Sequence, residues 1–377
     1  MSNLQNDELI LKLVDTINVP VISDETNFWI IKTQNSIFYD EFISNSYVGL
    51  SWNTITKDTI DKSNKSSEKK AAIKEHIRKE YGFKQPGRVL NECDKFVNSI
   101  KENDIIIIPS RNNEKITFAL AKKYYEDNSL MHKEKEYKEY FKDEWNKSFE
   151  IKCSFTKRRE IQIIKTITNE NLNPHLYNTL VSKHGVSKIN ESYSYILSTI
   201  YPVYYYQHTL ATVFRVKTRG NINALDFSYF LLLSSSIIKE FNPNKKISVK
   251  TNIQSPGDVI IELADVDVDI LSDKDTILLL LGLWSATIGG KFLGFEFRTI
   301  CEFICMRQKQ KEKLKSSKLD NKNKNLDNIM KNLNLKEKLE CFNNSSSSLN
   351  IDISEINNII DLSKFQYNQN INKNKKN

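Results

Sequence analysis

The sequence predicts an α+β protein with two folded domains and a long polar C-terminal tail. Four consecutive isoleucines, Ile105–Ile108, stand between a polar turn and Pro109, a pattern typical of a strand buried on both faces. Two strands that each carry a tryptophan precede this run, within residues 27–33 and 47–52. Further along, the segment before Ser255-Pro256-Gly257 alternates apolar and polar residues, and a second apolar segment follows this turn, so the two predict a β-hairpin. These signals predict one sheet in each domain.

Length and cysteine usage narrow the class of protein. The chain has 377 residues, which is enough for two domains with their own hydrophobic cores. Its five cysteines include no CxxC pair, and no histidine or second cysteine pair near Cys301 and Cys305 completes a zinc site. The acidic N-terminus lacks a basic segment followed by an apolar core, so we expect no signal peptide. We therefore expect a cytoplasmic protein with reduced thiols.

The net charge of +8 is concentrated near the C-terminus. Residues 307–340 hold 11 Lys or Arg against five acids, whereas residues 1–306 carry a net charge of only about +1. Because the body is nearly neutral, total charge alone does not predict nucleic-acid binding. Asn, Lys and Ser dominate after Met306, so we expect residues 307–377 to form a polar, largely disordered tail.

One apolar segment, residues 276–293, has to be distinguished from a membrane span. It holds about 15 apolar or small residues before Lys291, whereas a spanning helix needs roughly 20. Charged residues precede it directly, and two glycines interrupt its end. We therefore expect a buried helix, or a strand and turn, in a protein core, and no membrane partner.

The first domain is predicted over residues 27–190. Before it, residues 1–26 hold a short amphipathic helix that ends at Pro20 and that we expect to pack on the first domain or on a partner. The other elements are inferred from apolar spacing and turn residues: a helix over 68–81 that stops at Gly82, a helix over 90–101, strands at 115–121 and 149–155, and a helix over 176–181.

The second domain is predicted over residues 191–306 as a compact α+β unit. Its elements again follow from periodicity: a strand at 212–217, a helix over 223–240, the hairpin strands at 247–254 and 258–263, and a helix over 275–288 that packs back on the sheet.

The order of aromatic residues gives the first domain a family resemblance. Trp29 lies on an early strand, Trp52 closes a second strand, and residues 96–104 spell a helix end followed by an aspartate before the isoleucine strand. Residues 27–190 resemble the PUA-like barrel of the EVE type, in particular the EVE-like modules at the N-termini of prokaryotic restriction and defence proteins. Asn103 replaces the usual glycine of that motif. Asparagine tolerates a positive φ better than most residues, so we expect the turn to keep its conformation with a positive φ at Asn103.

The resemblance implies a pocket in which aromatic side chains hold a single base. The positions that match are Trp29, Tyr39, Trp52 and one of the two neighbours Tyr124 and Tyr125. A base stacked on an aromatic ring gains about 1–3 kcal/mol, and a damaged or modified base is cheap to extrude. The competing interpretation places Trp29 and Trp52 in the barrel core, and both interpretations stay open.

Basic residues near the predicted pocket are candidates for phosphate contacts. They form two clusters, one on the helix over 68–81 and one before the helix over 176–181: Lys69, Lys70, Lys74 and Arg78, and then Lys157, Arg158 and Arg159. Acidic residues are interspersed around the first cluster, so an ordinary solvated face is the competing interpretation.

No motif in the chain assigns a catalytic activity. Glu150-Ile151-Lys152 has the E-x-K spelling of metal-dependent nucleases but falls on a strand assigned to the barrel. Asp265, Asp267 and Asp269 alternate as on a cation-binding strand face, although an acidic, solvated strand end is the commoner arrangement. Gly289-Gly290-Lys291 lacks the length of a P-loop, and the histidines are scattered. We predict no catalytic residue, metal or cofactor.

The resemblance leads to one functional hypothesis and two alternatives. By resemblance, the chain recognises nucleic acid, DNA in preference to RNA, and reads a modified base as the specificity subunit of a bacterial restriction or antiviral defence system. A protein partner would supply catalysis, and homo-oligomerisation stays open. One alternative is a sensor of a small nucleotide, which the low charge of the folded body favours. The other is a membrane-perturbing effector that uses residues 276–297.

Overall fold

The structure, a computed structural model, divides the chain into two compact units. We call Glu25–Ile200 the insert unit, and Met1–Asp24 together with Tyr201–Asn377 the split unit. The residues that the structure describes are 10–32, 34–131, 152–183, 185–218, 220–241, 246–251, 257–288, 291–292, 295–296, 300, 302–307, 310, 337–338, 340–344, 347, 349–352 and 354–359.

A six-stranded sheet that curls into a half-barrel forms the frame of the insert unit. Its strands are β1 (Phe28–Lys32), β2 (Tyr47–Leu50), β3 (Ile105–Pro109), β4 (Lys115–Glu126), β5 (Lys157–Thr168) and β6 (Gly185–Lys188). Their spatial order is β2-β5-β4-β3-β1-β6. Only β1 and β3 run parallel, and each remaining neighbouring pair within this sheet is antiparallel.

Helices flank this sheet in the sequence of the insert unit. They are α1 (Tyr39–Ser44), α2 (Lys57–Lys65), α3 (Ser67–Tyr81), α4 (Pro86–Asp94), α5 (Pro174–Ser182) and α6 (Tyr193–Ile200). Thr56 and Ser66 cap α2 and α3 by accepting backbone N–H groups of the first turn. Gly82 ends α3 in the left-handed conformation, at φ 61°. Thus α3 and α5 confirm the helices predicted at 68–81 and 176–181.

The prediction for the isoleucine run is confirmed. β3 is an interior strand of the sheet, and each of its residues is buried. Ile106 and Ile108 belong to the hydrophobic core on one face, whereas Ile105 and Ile107 point to the other face and are buried as well. Burial on both faces explains why no polar residue interrupts the run.

The turn before β3 is held by the buried carboxylate of Asp104. Its Oδ1 accepts the backbone N–H of Asn27 at 2.9 Å. Its Oδ2 accepts the indole Nε1–H of Trp29 at 2.8 Å and the backbone N–H of Lys101 at 2.9 Å. Asn103 in the same turn has φ 68°, which confirms the positive φ expected there.

This backbone conformation makes Asn103 a testable position. We expect Asn103→Gly to change the free energy of unfolding by less than about 1 kcal/mol, because glycine adopts a positive φ without strain. Asn103→Val forces a β-branched residue into the left-handed region and should cost about 1–3 kcal/mol. Urea denaturation of both variants measures the difference. Equal losses would show that the turn needs the amide side chain rather than the positive φ.

Two strand predictions in the insert unit need correction. Of the strand predicted at 149–155, residues 149–151 lie outside the described residues, and residues 152–155 form no strand. The strand begins later, at Lys157, and runs to Thr168 as β5. β4 continues past the predicted end at Ala121 to Glu126, because its last residues pair with the start of β5.

The split unit contains a second sheet covered by two long helices. Its strands are β7 (Val203–Tyr206), β8 (Thr209–Val216), β9 (Lys246–Thr251), β10 (Gly257–Ala264) and β13 (Ile351–Asp352), and its long helices are α7 (Ala224–Phe241) and α8 (Lys274–Ile288). Two-residue strands β11 (Lys291–Phe292) and β12 (Phe295–Glu296) pair separately. β9 and β10 are antiparallel neighbours, so the predicted hairpin pairing is confirmed.

The apolar segment that begins near residue 276 forms the buried helix α8. Trp284 is fully buried there, and its Nε1–H donates to Oγ1 of Thr212 on β8 at 3.0 Å. Throughout the part of the chain that is described, every helix is too short or too polar to cross a membrane.

The predicted domain boundaries differ from the units in the structure. The N-terminal residues Ile10 and Leu13 belong to the core of the split unit, as do Phe342 and Leu349 from the predicted tail. The backbone N–H of Asn18 donates to the carbonyl of Ile359 at 2.8 Å, so both ends of the chain join one unit. Asn, Lys and Ser dominate the composition of residues 307–377, and residues 351–365 keep only a weak helical period, which is why the sequence placed these apolar residues in a polar tail.

Candidate functional site

Three strand ends meet at one edge of the sheet in the insert unit. β2 ends at Leu50, β4 ends at Glu126 and β5 begins at Lys157, which pairs with both of them. The loop after β2 and the C-terminal turn of α3 lie at this edge. We call the aromatic and polar residues gathered there the rim: Trp52, Thr54, His76, Tyr81, Phe83, Tyr124 and Glu126.

Trp52 is the most unusual residue of the rim. Its backbone is left-handed, with φ 64°, and its side chain is partly exposed. A bulky residue rarely adopts this conformation, which costs about 1–3 kcal/mol. Its carbonyl oxygen accepts the Nζ of Lys157 at 2.7 Å and the backbone N–H of Ile55 at 2.9 Å. These two bonds hold the strained conformation in place.

Phe83 forms an aromatic corner with Trp52. The ring centroids are 6.5 Å apart and the ring planes meet at 78°. Phe83 follows Gly82 directly and is 40% exposed, which is high for a phenylalanine. Two rings at this angle present both a face and an edge to any planar group that enters the corner.

Polar groups of α3 fix the loop that carries Trp52. The backbone N–H of Thr54 donates to the hydroxyl of Tyr81 at 3.1 Å. The Oγ1 of Thr54 lies 2.9 Å from the same hydroxyl and 3.1 Å from Nε2 of His76. His76 is exposed and Tyr81 is partly exposed. The rim therefore contains hydrogen-bonding groups beside its aromatic corner.

Tyr124 and Glu126 extend the rim along the end of β4. The Tyr124 hydroxyl donates to Oε1 of Glu126 at 2.7 Å, and the same oxygen accepts the backbone N–H of Lys57 at 2.7 Å. Burial, together with the neighbouring carboxylate, raises the pKa of the Tyr124 hydroxyl far above its ordinary value. Tyr124 thus stays a protonated donor, and Glu126 joins β4 to the start of α2.

Asn53, the residue after Trp52, anchors the loop from beneath. It is fully buried, and its Nδ2 donates to the carbonyls of Ser154 at 2.9 Å and of Leu130 at 3.3 Å. Its Oδ1 accepts the backbone N–H of Thr156 at 3.1 Å. The side-chain amide of Asn53 thereby satisfies backbone groups of the segment before β5, as a neighbouring strand would do.

The structure separates the five aromatic residues predicted to line a pocket. Trp29 is buried against Asp104, and Tyr39 is buried with its hydroxyl 2.7 Å from Oγ1 of Thr117. Both residues belong to the same core cluster, which favours the core interpretation for Trp29. Trp52 and Tyr124 lie at the rim. Tyr125 follows Tyr124 on β4, is partly exposed and points to the opposite face of the strand.

The side chains of the second basic cluster make contacts within the insert unit. Lys157 is buried and bonds the Trp52 carbonyl. Arg159 is buried, which lowers the pKa of its guanidinium, and donates to the carbonyls of Lys122 at 2.9 Å and Phe96 at 3.1 Å. Arg158 lies over the ring of Tyr47, 4.3 Å from its centroid. Lys157 and Arg159 therefore offer almost no surface to a phosphate.

The first basic cluster lies on α3, and its side chains are exposed to different degrees. Lys69 and Arg78 are exposed, and Lys70 and Lys74 are partly exposed. Arg78 pairs with Glu75 of the same helix at 2.9 Å. Surface pairs of this kind contribute little to stability, so Arg78 remains accessible to a competing anion.

Sequence reasoning missed five of the seven members of the rim: Thr54, His76, Tyr81, Phe83 and Glu126. Thr54 lies 22 residues before His76 and 27 before Tyr81, and only the packing of α3 against the loop after β2 brings it to them. Phe83 had a usable signal, because an aromatic residue in a polar turn between Gly82 and Lys84 has no core position to fill.

The residues considered for metal binding do not form a site in the described part of the chain. Glu150 lies outside the described residues. Asp265, Asp267 and Asp269 are exposed beyond the end of β10. Among the residues that the structure places, no three His, Cys, Asp or Glu residues cluster closely enough to hold a metal ion.

The fold and the rim define a class: a two-unit α+β protein with a partly exposed aromatic corner at a sheet edge. Models of protein families, curated proteins and solved structures give no match to this chain.

Proposed function

We propose that the insert unit is a PUA-like, EVE-type nucleic-acid recognition module whose rim holds one unpaired or extruded base. The ligand we favour is a modified base in DNA. The observation that carries the proposal is the left-handed, partly exposed Trp52 beside the exposed ring of Phe83. This arrangement provides a stacking surface for one planar ring.

The backbone strain at Trp52 supports a binding role over a packing role. Glycine would adopt φ 64° without strain, and a core tryptophan would be buried rather than partly exposed. Strained non-glycine residues cluster at binding sites, where the surrounding structure holds them in place. Here Lys157 and the fully buried Asn53 supply that support.

The distribution of charge also supports the proposal. Glu25–Ile200 holds five more basic than acidic residues, whereas residues 1–24 and 201–306 together hold four more acidic than basic ones. The positive charge of the folded body thus belongs to the insert unit. Lys57, Lys79 and Lys84 are exposed and neighbour the rim in sequence. Such residues attract a phosphate backbone without reading its sequence.

The wider biological role in this proposal rests on the resemblance of the sequence motifs. The chain would act in the cytoplasm as the specificity subunit of a restriction or antiviral defence system, with catalysis supplied by a protein partner.

The test is fluorescence-anisotropy binding to matched duplexes, unmodified and modified at one cytosine, at two salt concentrations. We expect tighter binding to the modified duplex, and we expect Trp52→Ala to weaken that binding by about tenfold or more, because one stacked base contributes about 1–3 kcal/mol. Phe83→Ala should weaken it less. Tyr177→Ala, which removes an exposed aromatic ring from α5, is the matched control and should change nothing.

Weak binding that disappears with salt and ignores both the modification and Trp52 would contradict the proposal. Circular dichroism of Trp52→Ala confirms folding before its affinity is compared with the wild-type affinity. Trp52→Gly should retain the fold best, because glycine relieves the backbone strain.

A small nucleotide is the second candidate ligand. The partly buried carboxylate of Glu126 in the rim suits it, because a carboxylate accepts a hydrogen bond from an amino group of a base. A ligand that binds only the folded state raises the melting temperature. A thermal-shift series with nucleotides, read for wild type and Trp52→Ala, separates this ligand from DNA.

A further inference from the structure

A bulge in β4 sets the orientation of the rim residues Tyr124 and Glu126. Tyr124 pairs with Arg159 of β5, and the register of the two strands shifts between Ala121 and Tyr124. Two residues of β4 lie opposite one residue of β5 at this shift, which is the pattern of a β-bulge. In a regular ladder Lys123 would share the face of the buried Ala121, but the bulge brings Tyr124 to that face instead. Glu126, two residues further along β4, faces the same way.

The buried guanidinium of Arg159 joins the bulge to the end of a helix. Its Nη1 donates to the carbonyl of Lys122 in the bulge at 2.9 Å. Its Nη2 donates to the carbonyls of Phe96 at 3.1 Å and Val97 at 3.4 Å, which belong to the π-helical turn Lys95–Ser99 after α4. A guanidinium makes these bonds at once because its donors are arranged as a planar fork. A lysine ammonium has no such fork.

The same guanidinium and the π-helical turn hold the ring of Tyr124. The guanidinium carbon of Arg159 lies 5.7 Å from the Tyr124 ring centroid, and the ring of Phe96 meets it at 76° with the centroids 6.3 Å apart. The Tyr124 hydroxyl donates to Oε1 of Glu126, as does the backbone N–H of Lys57. Oε1 thus has two donors, whereas Oε2 accepts no hydrogen bond from any residue that the structure describes. Oε2 of the partly exposed Glu126 is therefore the acceptor that the rim offers to a ligand.

We propose that the Glu126 carboxylate makes the rim select a base that carries an exocyclic amino group, and that Arg159 is the positioning residue for this carboxylate. The inference rests on the proposed function, because it concerns the ligand of the same rim. An amino group donates a hydrogen bond to Oε2, and cytosine, adenine and guanine each carry one. Thymine instead places carbonyl oxygens, which are acceptors like the carboxylate itself, on both sides of its ring N–H. Arg159 is only 3% exposed, so it acts through Tyr124 rather than on the base.

The first experiment removes the amino group from the ligand. Fluorescence anisotropy of the full chain compares duplexes that carry one test base opposite an abasic site. The test bases form two pairs, 5-methylcytosine with 5-methyl-2-pyrimidinone and adenine with purine, and the second member of each pair has hydrogen in place of the amino group. Wild type should bind the amino member of at least one pair about tenfold more tightly, the scale of one hydrogen bond to a charged group.

Glu126→Gln should abolish this preference. Its single oxygen is needed by the Tyr124 hydroxyl and the Lys57 N–H, so its NH₂ group takes the place of Oε2 and faces the amino group of the base. Two donors then meet, and the amino member loses its advantage. Glu170→Gln makes the same change at an exposed residue after the far end of β5 and should keep the preference of wild type.

Arg159→Lys tests the positioning role, because it keeps the charge but loses the fork. We expect the preference for the amino member to fall by about threefold or more, since residues that act as one unit are coupled. A role confined to stability would weaken binding of both members by the same factor, and an unchanged preference would overturn the role assigned to Arg159. Tyr124→Phe removes only a hydroxyl and should lower the preference too, so an unchanged preference there would also overturn the proposal. Arg111→Lys, at an exposed position before the start of β4, is the control.

Trp52→Ala separates this inference from the proposed function. If both members of each pair bind equally and both depend on Trp52, the rim holds a base without reading its amino group, and the inference is overturned while the proposed function stands. Binding that is unaffected by Trp52→Ala would overturn both. A preference that persists in Glu126→Gln would assign the selection to another group and would overturn the inference as well. Circular dichroism confirms the folding of each variant before its affinities are compared.

Discussion

Asp104→Ala is expected to lower the free energy of unfolding by about 3–5 kcal/mol, the largest effect expected in the insert unit. The substitution leaves the backbone N–H groups of Asn27 and Lys101 and the indole N–H of Trp29 without their acceptor. A buried donor left unpaired costs about 1–3 kcal/mol, which applies to the buried indole N–H of Trp29, and the two part-buried backbone donors at the same site add to the loss. Urea denaturation, followed by tryptophan fluorescence, measures the loss.

Two further variants make the Asp104 prediction specific. Asp104→Asn keeps one acceptor oxygen but turns an N–H group toward the remaining donors, so we expect an intermediate loss. Asp58→Ala removes an exposed carboxylate that pairs only at the surface with Lys62, and we expect less than about 0.5 kcal/mol. A loss below about 1 kcal/mol for Asp104→Ala would show that water replaces the carboxylate.

Asn53→Ala is expected to cost about 2–4 kcal/mol and to weaken any binding that depends on Trp52. The amide of Asn53 is fully buried and bridges Ser154, Leu130 and Thr156. Without this bridge the loop loses the support that keeps Trp52 in its left-handed conformation. The expected outcome is a lower urea midpoint together with weaker binding at temperatures where the variant is still folded.

The control for this prediction is Asn64→Ala. Asn64 is an exposed asparagine on α2 whose Nδ2 donates to Oδ1 of Asp94 at 3.0 Å, and neither residue belongs to the rim. We expect it to leave both the urea midpoint and the binding unchanged. If Asn53→Ala lowered stability but left Trp52-dependent binding intact, the loop would not need Asn53 to present the tryptophan.

The elements predicted well from the sequence are those whose burial follows a simple period. β3 was recognisable because both of its faces are buried, so four isoleucines could stand in a row. The strand β5 was not, because Lys157 and Arg159 occupy inward-facing positions where a pattern search expects apolar residues. Their charged groups bond backbone carbonyls, an arrangement that only the folded chain can supply.

The candidate site was predictable only in part, for a related reason. Trp52 was singled out by the resemblance of the sequence motifs, and in the structure it follows β2 and lies at the rim. Trp29 was predicted for the pocket on the same grounds, yet its indole N–H donates a hydrogen bond to Asp104 inside the core. No local pattern distinguishes these two tryptophans, since the difference lies in which distant residue each one meets.

The division of the split unit across the chain imposes an order on folding during synthesis. Every described strand of the insert unit lies between residues 28 and 188, so this unit has its whole sheet soon after that stretch has emerged. Ile10 and Leu13, by contrast, pack with residues as distant as Ile359. At a translation rate of about 10 residues per second, the N-terminal segment waits on the order of half a minute for them. During that interval its apolar face is accessible to chaperones, and the split unit closes only after residue 359 has emerged from the ribosome.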